Sequence, residues 1–294
     1  MRTGLLVTNE EARRVSPRLR AIIAKALSAD LDLEVVETKA PQHAAEVSRH
    51  AAGDGVDVVV AFGGDGTVNE VANGLADART AMAVLPGGAR NVICRNLGIP
   101  PDIVEATAFL LNRLQETRPR RVNMGRAGDR YFLSSCGAGI DAAMRARIDG
   151  RGFWNAVSAM ARTALEYRGA EPSIEVEAPG VSEVVAMAVV ANAPRYAQLG
   201  RLPVRLAPDA GLEEGLDLVG VRSPRISVLA RLGIAALGDT GRLDSKHVVY
   251  SHDLQQVHLR SGGKPFPVHV DGERIGDVVE LEVAACPSRL SVLA

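Results

Sequence analysis

Aromatic residues are scarce, with Phe, Tyr and Trp together making up 3% of the 294 residues. Stacking platforms for nucleic-acid bases are therefore not expected. A charge surplus is also missing, since 34 basic residues meet 35 acidic ones and the formal net charge is −1. Without a basic field, nothing draws a phosphate backbone to the surface, so nucleic acid is not an expected partner. Cysteine is limited to Cys94, Cys136 and Cys286, far apart in the chain. No CxxC or HExxH spacing occurs, which excludes a disulfide framework and an evident zinc site and leaves three small buried apolar residues. Long hydrophobic runs are lacking too. The longest, Ile226–Leu237, is interrupted by Arg231 and Gly233 and falls short of the roughly 20 residues of a membrane span. The N-terminal apolar run is short and meets Glu10 and Glu11, unlike a signal peptide. These absences predict a cytoplasmic protein of a reducing compartment.

What is present suits a globular chain: 47% of residues are hydrophobic and 23% charged. At about 100–200 residues per domain, the length predicts two domains. The first third alternates strand and helix signals. Strands are expected at Gly4–Thr8, Leu33–Thr38, Val56–Phe62 and Ala81–Leu85, and helices at Pro17–Ala29, Pro41–Gly53, Val68–Asp77 and from Asn91 onward. The Val56–Phe62 run has the continuous β-branched character of a strand buried on both faces. Repeated β-α-β-α predicts a parallel, doubly wound sheet. Beyond Arg118, short strand-like runs separated by turn residues predict an antiparallel sandwich, interrupted by helices at Phe153–Tyr167 and Ile226–Leu237. The charged, proline-containing segment Gln115–Arg121 marks the boundary. Expected domains are residues 1–117, rejoined by 284–294, and residues 118–283.

The strongest chemical signal is Gly63-Gly64-Asp65-Gly66-Thr67-Val68-Asn69-Glu70, placed where a strand should end and a helix begin. Glycines allow sharp turns and close backbone approach. Thr67 and Glu70 have the spacing of a capping box that would start the helix just after the loop. A helix N-terminus suits phosphate, and Asp65 inside such a loop suits Mg²⁺ or a proton. A second glycine loop, Pro86-Gly87-Gly88-Ala89-Arg90-Asn91, follows the next strand. Two such loops at neighbouring strand ends would build one nucleotide crevice, with Arg90 placed to pair with phosphate. GxxxxGK[ST] and GxSxG are absent, and the GxGxxA match at Gly137–Ala142 lies in the strand-rich half rather than in an opening βαβ unit. Two acidic turns remain. Asp209–Asp217 could hold a hard cation or be a solvated hairpin. Asp271-Gly272-Glu273 reads as a hairpin tip.

Together these motifs resemble the diacylglycerol kinase catalytic-domain family, soluble lipid kinases that include sphingosine and ceramide kinases. GGDG alone is shared with NAD kinases, but the following Val68-Asn69-Glu70 is typical of the lipid kinases, and the order GGDGT, PGG–N, GxGxDA, PDA–EG–LD, DGE is the family's. The resemblance implies an α/β nucleotide domain, a β-sandwich and ATP in a cleft. It implies that Thr38, Gly63, Gly64, Asp65, Gly66, Thr67, Asn69, Gly87, Gly88, Arg90 and Asn91 hold ATP. Glu273 would be the base on a lipid hydroxyl, converging with Asp65, which would assist through Mg²⁺ or hydrogen bonding. Glu214 and the carbonyls of Gly211 and Leu216 would hold a structural Mg²⁺. The helix Phe153–Leu165 would edge a lipid groove, touch the membrane surface or simply face the core.

The implied activity is ATP-dependent phosphorylation of a lipid hydroxyl at a membrane surface, the protein docking transiently, with a homodimer left open. Two alternatives stand beside it: a kinase of a soluble acceptor such as NAD, and a non-catalytic lipid-binding protein. The sequence departs from the family at Asn9-Glu10, where N-P is usual, and at Ala89 and Arg90, where a hydroxyl residue is usual. It departs again at Asn123, often Asp, and at Glu213-Glu214, where aspartates are usual.

Overall fold

A computed structural model describes residues 1–9, 15–116, 118–148, 153–167, 173–200, 202–223, 225–238 and 246–294. Glu10 and Glu11 of the first loop and Thr117 of the boundary segment lie outside the described residues. Compact packing divides the chain into two units, Met1–Val122 with Ser288–Ala294, and Asn123–Pro287.

The first unit contains β1 (Arg2–Thr8), α1 (Pro17–Leu27), β2 (Leu31–Glu37), α2 (His43–Gly53), β3 (Val58–Gly63), α3 (Asp65–Gly74), β4 (Ala81–Pro86), α4 (Val92–Asn96) and α5 (Ile103–Glu116). The strands pair in parallel in the order β2-β1-β3-β4, and the returning tail adds Val292 beside Met82. β3 (VVVAFG) and β4 (AMAVLP) are buried along their whole length, as strands covered on both faces must be. Because β2 and β3 flank β1 on opposite sides, the chain reverses its winding there. The strand ends around that switch point are where open α/β sheets bind ligands.

Helix starts follow local chemistry. Ser16 Oγ accepts from the Leu19 N–H and Pro17 opens α1, the usual pairing of an N-cap with a first-turn proline. α3 differs from the sequence expectation. It spans Asp65–Gly74 rather than Val68–Asp77, Gly64 is its N-cap, and no Thr67–Glu70 capping box forms. Thr67 sits inside the first turn, its side chain filling the space over Gly63, where a Cβ would lie 2.5 Å from Thr67 Oγ1. Glu70 instead reaches α2, whose own N-cap Gln42 supplies no side-chain cap, and accepts the Ala44 N–H at 3.2 Å.

The second unit contains β5 (Arg120–Ala127, begun in the first unit), β6 (Arg130–Phe132), β7 (Ser135–Gly139), α6 (Ile140–Arg145), α7 (Phe153–Glu166), β8 (Ile174–Ala178), β9 (Val181–Val185), β10 (Met187–Ala191), β11 (Ala197–Leu199), β12 (Leu202–Val204), β13 (Leu216–Val221), α8 (Ile226–Leu237), β14 (Val248–Leu254), β15 (Gln256–Ser261), β16 (Phe266–Val270), β17 (Glu273–Val278) and β18 (Glu280–Val292, ending in the first unit). One antiparallel sheet runs β14-β13-β10-β7-β16-β17, and β18-β15-β8-β9 make the facing layer. Phe132, Val185, Val190, Leu218, Val257, Leu259, Val268 and Val283 fill the space between the layers. The alternate residues of β10 and β13, Val189, Val219 and Val221, pack on the other side against Leu229 and Leu232 of α8. The apolar run from β9 into β10 is broken at Ala186, where the chain changes sheets. The Ala186 N–H bonds Val221 O at 2.8 Å and its carbonyl accepts from Ile140 at 3.2 Å. Side chains of Phe153, Trp154 and Val157, expected near a lipid groove, lie outside the described residues. Among the described residues, no helix is long and apolar enough to cross a membrane.

The α2–α3 contact gives a direct test of the first unit's packing. A Cβ at Gly74 would stand 2.4 Å from Ala45 O and 2.8 Å from Ser48 Cβ. Gly74→Ala, which raises helix propensity, is expected to destabilise by about 1–3 kcal/mol because the helices must separate. A lowered urea midpoint checks this.

Candidate active site

Four parallel strands of the first unit end side by side, and each delivers a loop to the same edge. Asn9 follows β1, its N–H bonding Phe62 O at 3.4 Å and its Nδ2 reaching Thr67 Oγ1 at 3.5 Å. Thr38 follows β2, half-buried, its N–H on Thr8 O at 2.8 Å. The two glycine loops follow β3 and β4 and pack backbone on backbone. Gly87 N–H donates to Gly63 O at 2.8 Å. A Cβ on Gly87 would come within 3.0 Å of Gly63 Cα, and one on Gly88 within 2.6 Å of Gly64 Cα. Three of the four glycines of the pair, Gly63, Gly87 and Gly88, are thus required by the fold itself, whatever approaches from outside. Gly66 differs: it is exposed and a Cβ there would meet nothing.

The second loop is closed by Asn91. Its backbone is left-handed, with φ 48°, and its carboxamide is buried. Its Oδ1 accepts the Gly88 N–H at 2.9 Å while its Nδ2 donates to Gly88 O at 3.1 Å. Asp65 bridges the two loops, since its Oδ1 accepts the Ile93 N–H at 2.9 Å in the first turn of α4. Nearby Cys94 is pushed up to about 12, first by burial and then by the Asp65 charge, so its thiol is inert.

The expected nucleotide residues therefore divide by accessibility. Thr38, Gly64, Asp65, Gly66 and Arg90 are exposed or half-buried at the strand ends, whereas Gly63, Thr67, Asn69, Gly87, Gly88 and Asn91 are buried. Asn69 Oδ1 accepts from Asn73 Nδ2 at 3.3 Å inside the unit. Buried members build the loops rather than present donors to a ligand.

In the second unit the D-G-E turn is a two-residue hairpin loop between β16 and β17, with Val270 paired to Glu273. Asp271 (φ 48°) and Gly272 (φ 87°) are both left-handed, the geometry of a type I′ turn. The Asp271 carboxylate accepts three backbone N–H groups, from Leu133 at 2.9 Å, Ser134 at 2.8 Å and Ser135 at 3.0 Å. It anchors the hairpin tip, and Glu273 stands beyond it, 49% exposed, with Oε2 2.6 Å from Arg130. Neither the Arg130 partner nor the Asp271 anchor is legible in the sequence, because both join positions more than a hundred residues apart.

The second acidic turn is tied by hydrogen bonds within the protein. Gly211 O accepts the Glu214 N–H at 3.1 Å, and Asn123 donates its N–H to Leu212 O at 2.6 Å and its Nδ2 to Glu214 O at 2.8 Å. Leu216 enters β13 opposite Leu254. The Glu214 carboxylate faces His252 Nε2 at 3.9 Å, and His252 is held above its ordinary range by its bond to the buried Asp217 at 2.7 Å. A hard cation needs several converging oxygens with lone pairs to give. Here protein N–H groups bond the Gly211, Leu212 and Glu214 carbonyls, and among the described residues no group of three or more acidic, histidine or cysteine side chains could hold a metal ion. Glu214 and the carbonyls of Gly211 and Leu216 would offer Mg²⁺ three oxygens, the remainder coming from water.

Residues 4–127 match the diacylglycerol kinase catalytic domain. A probable lipid kinase (YegS-like) of Chromohalobacter salexigens is 34% identical over 48% of this chain and 44% of its own length. A diacylglycerol kinase of Bacillus subtilis is 27% identical over 87% of this chain and 84% of its own. A putative diacylglycerol kinase structure from Bacillus anthracis superposes with a TM-score of 0.77, covering 99% of this chain and 96% of that one at 21% identity. Yeast NADH kinase superposes at 0.53 with 11% identity, over 99% of this chain and 82% of that one. At such identities both structures speak for the fold alone, a parallel α/β domain with an antiparallel β-sheet domain. The resemblance to the diacylglycerol kinase catalytic-domain family, read first from the glycine motifs, is borne out.

If Asn91 closes the second loop, Asn91→Ala should cost about 1–3 kcal/mol, since a buried N–H and carbonyl lose partners and a left-handed residue loses its tolerance for that backbone. Chemical denaturation measures the loss. A midpoint equal to that of the parent would mean the loop closes without it.

Proposed function

We propose that this chain, which carries a diacylglycerol kinase catalytic domain across residues 4–127, transfers the γ-phosphate of ATP to a hydroxyl of a lipid such as diacylglycerol or a sphingoid lipid. One observation carries the nucleotide half of this reading. At the carboxyl ends of four parallel strands, paired glycine loops leave the start of α3, with no side-chain cap, facing outward at the exposed Gly66. Backbone N–H groups and the positive end of a helix dipole favour a polyphosphate there. Support for the lipid half comes from the relatives in Chromohalobacter salexigens and Bacillus subtilis, which bear lipid kinase and diacylglycerol kinase names.

The residues act mainly by placing charge, because phosphoryl transfer asks for positioning and neutralisation more than for covalent chemistry. Thr38 and the Gly64–Gly66 turn border the phosphates. Arg90 pairs with phosphate oxygens in place of a hydroxyl contact. ATP arrives as its Mg²⁺ complex, the metal belonging to the substrate, and Asp65 is the carboxylate at the loop that orients it. Glu273 takes the proton from the lipid hydroxyl as its oxygen attacks the γ-phosphorus and ADP leaves. Arg130 keeps that carboxylate directed and must yield when the hydroxyl arrives. The lipid lies in a membrane, so the protein works as a peripheral visitor to a bilayer surface.

Two substitutions separate the halves. Glu273→Gln should cut turnover by about 10²–10⁴-fold and leave ATP affinity nearly intact. Arg90→Ala should weaken ATP binding by about 1.5–3 kcal/mol, the range for charged hydrogen bonds. Calorimetric ATP titration beside steady-state turnover reads both. An active Glu273→Gln enzyme within about twofold of the parent would return Glu273 to the surface.

A further inference from the structure

Beneath the D-G-E turn lies a buried polar chain that the phosphoryl-transfer scheme does not use. His269, on β16, is 1% exposed and Asp141, at the start of α6, is 0% exposed. His269 Nε2 stands 2.6 Å from Asp141 Oδ2, and the Tyr196 hydroxyl donates to Asp141 Oδ1 at 2.5 Å. On the other side of the ring, the Gly272 N–H donates to His269 Nδ1 at 3.3 Å. The two contacts fix the tautomer: Nδ1 must offer a lone pair to an amide, so Nε2 carries the proton that the carboxylate accepts. Arg145 closes the cluster, its guanidinium 5.3 Å from the Tyr196 ring centre and against Gly272.

The backbone makes room for this chain at Gly137. A Cβ there would fall 1.8 Å from Asp141 Oδ2 and 2.3 Å from His269 Nε2. The first glycine of the GxGxDA motif is thus explained by space for the imidazole–carboxylate pair rather than by a dinucleotide. Burying such a pair is costly, and well-packed apolar side chains would serve stability as well or better. What the pair adds is direction. It grips the amide immediately before Glu273, at the point of the turn where Asp271 does not, since the Asp271 carboxylate is spent on Leu133, Ser134 and Ser135.

We infer that His269 is a positioning residue for the D-G-E turn, holding the Gly272 amide so that Glu273 leaves the hairpin in one direction, with Asp141 and Tyr196 fixing the ring. The inference rests on the reading of Glu273 as proton acceptor. His269 touches no reacting atom. Its influence passes through Gly272 alone, which distinguishes it from a generally stabilising core residue. A glutamine at the same place can both accept from Gly272 and donate to Asp141, whereas a leucine fills the volume and does neither.

A double-mutant cycle with hydrogen exchange tests this. Turnover is measured with MgATP and diacylglycerol in detergent mixed micelles, for His269→Leu and His269→Gln in the parent and in Glu273→Gln. His269→Leu should lower kcat about tenfold or more with an unchanged KM for ATP, the signature of an interaction used in the transition state. His269→Gln should stay within about threefold of the parent, and His269→Leu should cost nothing further once Glu273 is glutamine. Independently of any acceptor, exchange of the Gly272 amide should accelerate about tenfold or more in His269→Leu, and remain near the parent rate in His269→Gln. If His269→Leu fails to fold, Tyr196→Phe, which removes one bond to Asp141, should show the same pattern at smaller amplitude. A slow Glu273→Gln enzyme beside an indifferent His269→Leu overturns this inference alone, as does an equal loss in both Glu273 backgrounds or an unchanged Gly272 amide. Undiminished turnover in Glu273→Gln overturns the proton-acceptor reading, and this inference with it.

Discussion

The approach of one backbone to another, Gly63–Gly64 against Gly87–Gly88, is the constraint on which the first unit's functional edge depends. Loops at neighbouring strand ends usually keep a side chain's distance apart. Here a Cβ on Gly88 would leave only 2.6 Å to Gly64 Cα and one on Gly87 only 3.0 Å to Gly63 Cα, so the loops close only because the second loop lacks side chains at both places. Much else follows from that closeness. Asp65 can reach the Ile93 amide of the neighbouring helix, Asn91 can clamp Gly88 from both sides, and Thr67 can fold over Gly63. The glycine motif is as much a statement about packing as about phosphate.

The second unit reaches a comparable precision by different means. Its D-G-E hairpin is held not by glycines meeting but by carboxylates that accept from protein donors. Asp271 gathers three backbone N–H groups, and Asp141 accepts from Tyr196 and His269 beneath the same turn. Fully bonded buried networks rigidify a site, and partly bonded ones are costly. Elsewhere in the unit the side-chain amides of Asn123 and Asn192 tie distant segments together. Asn192 Nδ2 donates to Asn123 O and Leu133 O, each at 3.1 Å, and Asn123 in turn ties the acidic turn through Leu212 and Glu214. The Asn123 amide thus supplies a donor to the turn, which closes on protein groups.

How much of this could be read in advance varies by kind of signal. The continuous runs of β3 and β4 and the alternation of strands and helices announced the parallel sheet, because burial on both faces leaves no polar positions to mislead. The D-G pair announced a type I′ hairpin for the same local reason. Helix α3 was placed three residues late: Thr67 and Glu70 have capping-box spacing, but Thr67 packs on Gly63 and Glu70 caps a different helix. The run through Ala186 hid a change of sheet, since both halves are apolar. The His269–Asp141 pair joins positions 128 residues apart. Its one local trace was the glycine at Gly137, whose reason is visible only when the two side chains meet. The bonds that tie the acidic turn were not legible, because composition counts carboxylates and not the distant donors, such as Asn123, that reach its carbonyls.

The account as a whole turns on the acceptor. γ-Labelled ATP offered to the full chain with diacylglycerol in mixed micelles, and separately with NAD in buffer, should place label in the lipid extract only, and only when micelles are present. Label on NAD without micelles, or no label on any acceptor alongside no detectable ATP binding, would contradict it.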